Sequence, residues 1–104
     1  MGEREGGGSL TPLQKRILEV LKVNKYLSSR TVAKAVNRPY SQVYYNLLAL
    51  KDRGLVKDVY ARQYYPGGIA YIDCRFWYLP ENEKEVLECL KSDSHTLLLK
   101  KPKF

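Results

Sequence analysis

The chain is predicted to fold as one small α+β domain: three short helices, a long β-hairpin and a further helix. Residues 40–53 place Val43, Leu47 and Leu50 on one helical face, and Arg53-Gly54 then supplies a cation and a left-handed stop. Residues 56–65 and 69–79 are rich in Val, Ile, Tyr, Phe and Trp, and they enclose the turn signal Pro66-Gly67-Gly68. A length of 104 residues, 44% hydrophobic, suits one domain with a modest core.

Residues 1–10 are Gly-rich, charged and without periodicity, and are expected to be a flexible segment. Thr11 can cap the first helix, Pro12 suits its first position and Gln14 completes a capping box. Leu13, Ile17, Val20 and Leu21 form its stripe, and Asn24-Lys25 ends it. Tyr26-Leu27 reads as a short extended link. Ser28 or Ser29 then caps a second helix whose inner face is Val32, Ala33 and Val36. Asn37 is a fair stop, and Pro39 turns Arg38 away from helical geometry before the third helix. Two short helices so joined follow the helix-turn-helix plan.

Along the second hairpin arm, Trp77 and Leu79 fall on one side, and Cys74, Phe76 and Tyr78 on the other. One face is expected to pack on the helices; the other needs a separate cover. A fourth helix opens near residue 81 with acids in its first turn and carries Val86, Leu87 and Leu90. Domain boundaries are placed at 11–91, with 92–104 left as a tail, an arm over a partner or a short strand.

The net charge is +7, and residues 12–78 hold +8 of it while residues 79–104 are neutral. The excess lies around the third helix. A polyanion is the natural partner, since phosphate neutralisation supplies most non-specific nucleic-acid affinity. A basic surface kept for solubility is the alternative.

Cys74, Cys89 and the single His95 cannot make a four-ligand structural zinc site. Cys74 reads as a half-buried strand residue and Cys89 as a helix residue, with a disulfide as the minority reading. No nucleophile–base pair stands out, so no catalytic residue, metal or cofactor is expected. Nor is a pocket-forming constellation evident, and no small-molecule ligand is expected. No run of about eighteen apolar residues is present, so no membrane partner is expected and the chain is placed in the cytoplasm.

The stretch Val43-Tyr44-Tyr45-Asn46-Leu47-Leu48-Ala49-Leu50-Lys51-Asp52-Arg53-Gly54-Leu55-Val56 resembles a recognition helix running into the wing of winged helix-turn-helix regulators. Phe76-Trp77-Tyr78-Leu79 resembles the last wing strand returning to the core. The similarity is to the MarR, ArsR and PadR kind, in the compact versions of archaea and their viruses, and covers about residues 11–91. It implies a three-helix core, a long hairpin wing and an additional C-terminal helix. One departure is that Pro66-Gly67-Gly68 lacks the basic wing tip common in such regulators, which speaks against a deep minor-groove contact by the tip.

In a helix-turn-helix the second helix of the pair lies in the major groove, N-terminal end nearest the bases. That places Arg38, Tyr40, Ser41, Gln42, Tyr45 and Asn46 at DNA, with Tyr40 and Tyr44 open to a core or interface role instead. Arg30 and Lys34 are candidate phosphate contacts or solvated charges, and Arg62 is the favoured wing contact. The first helix, the fourth helix and residues 97–99 are the expected homodimer surface, since Phe76, Leu87 and Leu90 exceed what a small core must use; Phe76, Val86, Leu87 and Leu90 are assigned to the interface. The resulting expectation is a sequence-specific double-stranded DNA-binding regulator. Its rivals are a protein-interaction module, which nine tyrosines favour, and a sequence-neutral architectural protein.

Overall fold

The computed structural model describes residues 9–100. The elements are α1 (Pro12–Val23), β1 (Leu27–Ser28), α2 (Ser29–Val36), α3 (Tyr40–Asp52), β2 (Lys57–Tyr64), β3 (Tyr71–Tyr78), α4 (Glu83–Ser92) and β4 (Thr96–Leu99). A 3-10 turn, Pro80–Asn82, leads into α4. The antiparallel sheet has the order β1-β3-β2-β4. This is the expected α+β winged helix-turn-helix, with one strand added.

The local signals act as their chemistry requires. The Thr11 hydroxyl accepts from the Gln14 amide while the Gln14 side chain accepts from the Thr11 amide, so two helix-end donors are satisfied. Ser28 caps α2, and this leaves the neighbouring Ser29 hydroxyl to face the core, where its buried oxygen accepts from Trp77 Nε1 at 2.7 Å. Asn37 takes the left-handed conformation (φ 56°) that ends α2 and starts the tight turn into α3. Gly54 (φ 75°) ends the turn after α3, with its amide on Lys51 O and the Leu55 amide on Leu50 O.

Ladder pairing sorts the wing into two faces. Asp58↔Trp77, Tyr60↔Arg75, Arg62↔Asp73 and Tyr64↔Tyr71 lie toward the helices. Trp77 is completely buried in a core with Ile17, Leu21, Val32, Val36, Val43, Leu47, Leu50 and Val56. The opposite face carries Val59, Ala61, Cys74, Phe76 and Tyr78, and α4 covers it with Val86 and Leu90. The separate cover that the sequence called for is thus supplied within the chain.

That finding removes the motive for the expected dimer surface. Phe76, Val86 and Leu90 are at most 7% exposed in the single chain, because they fill the second core; Leu87 alone of the four stays half-buried. The α4 cover is fixed by polar contacts as well. Lys57 Nζ meets Glu83 at 3.1 Å, and the Tyr78 hydroxyl donates to Glu83 at 3.2 Å. Burial, with the Glu83 charge, pushes the Tyr78 hydroxyl up to about 12.

Beyond α4, residues 96–99 form a strand rather than a tail, pairing Tyr60↔Leu99 through Gln63↔Thr96 on the free side of β2. The sheet therefore extends past the expected boundary at residue 91. The expected flexible residues 1–8 and the basic end 101–104 lie outside the described residues.

Leu90→Ala should lower unfolding stability by about 2–5 kcal/mol, by lost transfer energy and the cavity left behind. Urea titration at several protein concentrations checks this. A loss that does not depend on concentration fits an intramolecular core, and a strongly concentration-dependent one fits a subunit interface.

Candidate nucleic-acid interface

The first turns of α3 expose Ser41, Gln42 and Tyr45, the last at 71%, while Val43, Leu47 and Leu50 hold the helix to the core. Beside them, Arg30, Lys34 and Arg38 line one shallow notch of about 500 Å³ with Asn37, Pro39 and Tyr40. The left-handed Asn37 creates it by folding the start of α3 back against α2. None of the three cations is ion-paired with an acid among the described residues. Three exposed, uncompensated charges around a neutral polar helix end make a site that favours an anion and can hydrogen-bond a neutral group beside it.

Tyr40 and Tyr44 are turned toward the wing. Tyr40 stacks on Tyr44 with ring centres 5.8 Å apart, and the Arg30 guanidinium lies 5.5 Å from the Tyr40 ring. Tyr44 meets Trp77 edge-on at 6.3 Å and accepts a short hydrogen bond from Arg75. Tyr44 is thus a packing residue, and Tyr40 sits half-exposed at the border of the site.

Arg75 is held by a buried carboxylate. Its Nε donates to Asp58 at 2.6 Å, while Lys51 from the end of α3 reaches the other Asp58 oxygen at 2.9 Å. The Asp58 side chain is only 1% exposed. Burial is the strongest single influence on its carboxyl and opposes ionisation. The hydrogen bonds and charges of Lys51 and Arg75 together outweigh it and hold the group below its usual range. The Arg75 guanidinium also lies 4.6 Å from the Trp77 ring and 5.1 Å from Tyr60. One carboxylate therefore ties α3 to both wing strands.

Two further expected contacts are engaged inside the chain. Asn46 Oδ1 accepts from Gln14 Nε2 at 3.1 Å, and its Nδ2 donates to Gln42 O at 2.8 Å, so Asn46 joins α1 to α3. Arg62 makes a two-point pair with Asp73 at 2.7 and 3.2 Å and stacks 4.1 Å from Tyr71. Its charge is matched by an acid beside it.

The cleft between the helices and the wing was not foreseen. It measures about 550 Å³ and includes Arg30, Tyr40, Tyr44, Tyr60, Ile72 and Arg75 in its walls. No group of three His, Cys, Asp or Glu able to hold a metal occurs among the described residues. Cys74 and Cys89 are free and half-buried, and burial pushes the Cys74 thiol up. No described helix is long and apolar enough to cross a membrane.

A family model described as HVO_A0114 matches residues 9–63, more than half of the chain. The chain belongs to the HVO_A0114 family. The match takes in α1 to α3 and most of β2, which hold the notch, the exposed helix end and Asp58. Among solved structures, this HVO_A0114 protein is similar to the PcaV transcriptional regulator of Streptomyces coelicolor, solved with its natural ligand. The TM-score is 0.53 at 23% identity, covering 76% of this chain and 51% of that one. A possible transcriptional regulator of Methanosarcina mazei Go1 gives 0.52 at 12%, covering 77% and 66%. The zinc-responsive MarR family member ZitR of Lactococcus lactis gives 0.52 at 22%, covering 85% and 56%. These likenesses establish the winged-helix fold. The HVO_A0114 chain spans between 51% and 66% of the length of these three. No curated protein matches it in sequence.

Neither Asp58 nor Arg75 is among the site residues expected from the sequence. The available signal was parity, since Val56, Asp58 and Tyr60 alternate onto one strand face and Val56 is apolar. An acid on that face needs a cation, and Arg75 is the residue opposite Tyr60.

A depressed folded-state value means that Asp58 stabilises the fold above its unfolded value and that this is lost as pH falls through the folded one. Thermal unfolding of the wild type should therefore weaken below about pH 4. Asp58→Asn should cost about 3–5 kcal/mol at neutral pH, by removing the buried negative charge that Arg75 and Lys51 share. The variant should also lose part of the acid-limb slope. An unchanged slope contradicts the assignment.

Proposed function

We propose that this protein is a sequence-specific double-stranded DNA-binding transcriptional regulator that acts as a homodimer, with α3 in the major groove and the hairpin on the flanking groove or backbone. The observation that carries the reading is the neutral, exposed Ser41–Gln42–Tyr45 face set beside three cations that no acid among the described residues pairs. Gln42 matches the paired donor and acceptor of adenine N6 and N7, and the Ser41 and Tyr45 hydroxyls suit bases or phosphates. Arg38 at the start of α3 suits guanine or a phosphate. Arg30 and Lys34 on α2 supply backbone contacts, which set position without reading sequence. Tyr40 contributes at the border of the site, through the Arg30 that it holds. The fold shared with proteins described as transcriptional regulators supports the same reading, as does the basic balance of residues 12–78.

A twofold dimer would present two such faces to half-sites about 34–36 Å apart. With Phe76, Val86 and Leu90 filled inside the chain, Leu87, the outer edge of β4, where Leu97 is 48% exposed, and the outer face of α1, where Val23 is exposed, are candidate surfaces for it. Asn46 and Arg62, both engaged internally, act in this reading as supports of α3 and of the wing. No catalytic group is assigned.

Duplex titration at several salt concentrations checks the division of labour. Gln42→Ala should weaken an enriched duplex about 5–150-fold while leaving random duplex unchanged. Lys34→Ala should weaken both alike and reduce the salt slope by about one. Unchanged affinity in Arg38→Ala plus Gln42→Ala, with no salt slope, overturns the reading. Specific capture of one partner protein through Tyr40 by a DNA-blind chain would replace it with a docking module.

A further inference from the structure

The two longest stretches without a charged side chain are residues 39–50 and 63–72. The first is most of α3, and the second is the outer end of the hairpin. Four of the eight exposed large apolar or aromatic side chains among the described residues lie in the second: Tyr65, Ile69, Tyr71 and Ile72. Ile69 is the most exposed of all, at 91%.

The shape of this end follows from its residues. The Tyr65 amide donates to Ala70 O at 2.8 Å and the Gly68 amide to Tyr65 O at 3.0 Å, closing a tight turn. Gly67 and Gly68 take φ of 102° and 78°, which an L side chain rarely adopts. The two glycines leave the far side of the turn without side chains, and Ile69 projects between Gly68 and Ala70. Below it, Tyr64 packs on Tyr71 at 5.7 Å, and the Arg62–Asp73 pair stiffens the stem.

The stem of the hairpin comes close to the start of α3, since Ile72 and Tyr40 both line the cleft. Ile69 lies three residues beyond Ile72, at most about 10 Å further along the hairpin. The end is led by Ile69, with Tyr65, Tyr71 and Ile72 exposed on its flanks, and a two-stranded tip of this kind suits a minor groove about 6 Å wide. The missing charge removes attraction to phosphate, but an apolar wedge acts on base stacking instead.

We propose that Ile69 is an apolar wedge that enters the minor groove beside the α3 half-site, unstacks a base step and bends the duplex. The inference rests on the DNA-binding reading and adds to it a residue and a mechanical effect. Flexible pyrimidine–purine steps would be favoured under the tip, at a position that no side chain reads by hydrogen bonding.

End-to-end energy transfer on a doubly labelled duplex, enriched from a random pool, tests it with the full chain. Wild type should bend the duplex by about 20–90°. Ile69→Ala should retain about half of that bend or less, and Ile69→Phe, which keeps a wedge, should retain it. Because Ile69 is solvent-exposed, neither change threatens folding. A straight wild-type complex, or an undiminished bend with Ile69→Ala, overturns this inference and leaves the regulator reading standing. Failure to bind any enriched duplex overturns both. If Ile69→Ala instead abolishes association between chains while the duplex stays straight, the tip belongs to a protein contact and the wedge is wrong.

Discussion

The buried Asp58 carboxylate is the constraint on which the arrangement of this molecule depends. The apolar core accounts for three helices collapsing on Trp77, but apolar contacts are not directional and leave the angle between α3 and the wing loosely specified. Asp58 supplies direction. It takes Lys51 from the end of α3 on one oxygen and Arg75 from β3 on the other, and Arg75 passes the constraint to Tyr44 in the middle of α3. A carboxylate with almost no exposure is costly to keep ionised, so the geometry holds only while both cations stay in place. Helix and wing are thereby presented as one rigid surface.

The second core completes that surface from behind. In a two-layer winged helix the outer wing face would meet solvent, yet here Phe76, Tyr78 and Ala61 are apolar on that side. α4 folds over them and β4 then zips along β2, so the stem of the hairpin is sandwiched while its end stays uncovered. A stiff stem with a free end has mechanical consequences: force applied at Ile69 is carried to the body of the protein rather than absorbed by bending of the strands.

Much of this was legible in the residues. Helix ends could be read because their chemistry is local: Thr11 and Gln14 cap one helix, and Gly54 stops another wherever the rest of the chain goes. The exposed face of α3 was legible as the complement of Val43, Leu47 and Leu50. What escaped were contacts between residues far apart in sequence, such as Asn46 with Gln14, Arg62 with Asp73 and Arg75 with Tyr44. Each turns a polar residue that looked available into one already engaged. The apolar stripe of α4 was legible too, but a stripe does not say whether its cover lies in the same chain. The two-sided strand ending in Phe76-Trp77-Tyr78 held the answer, since a second apolar face requires a second layer.

The central claim is that the neutral start of α3, framed by Arg30, Lys34 and Arg38, reads duplex sequence. Selection from a random duplex pool, followed by footprinting of the enriched site, tests it most directly. The account predicts one enriched motif, repeated in inverted orientation about one helical turn apart, with major-groove protection at each half-site. A pool that stays random through successive rounds, while the folded protein is still recovered, would contradict it.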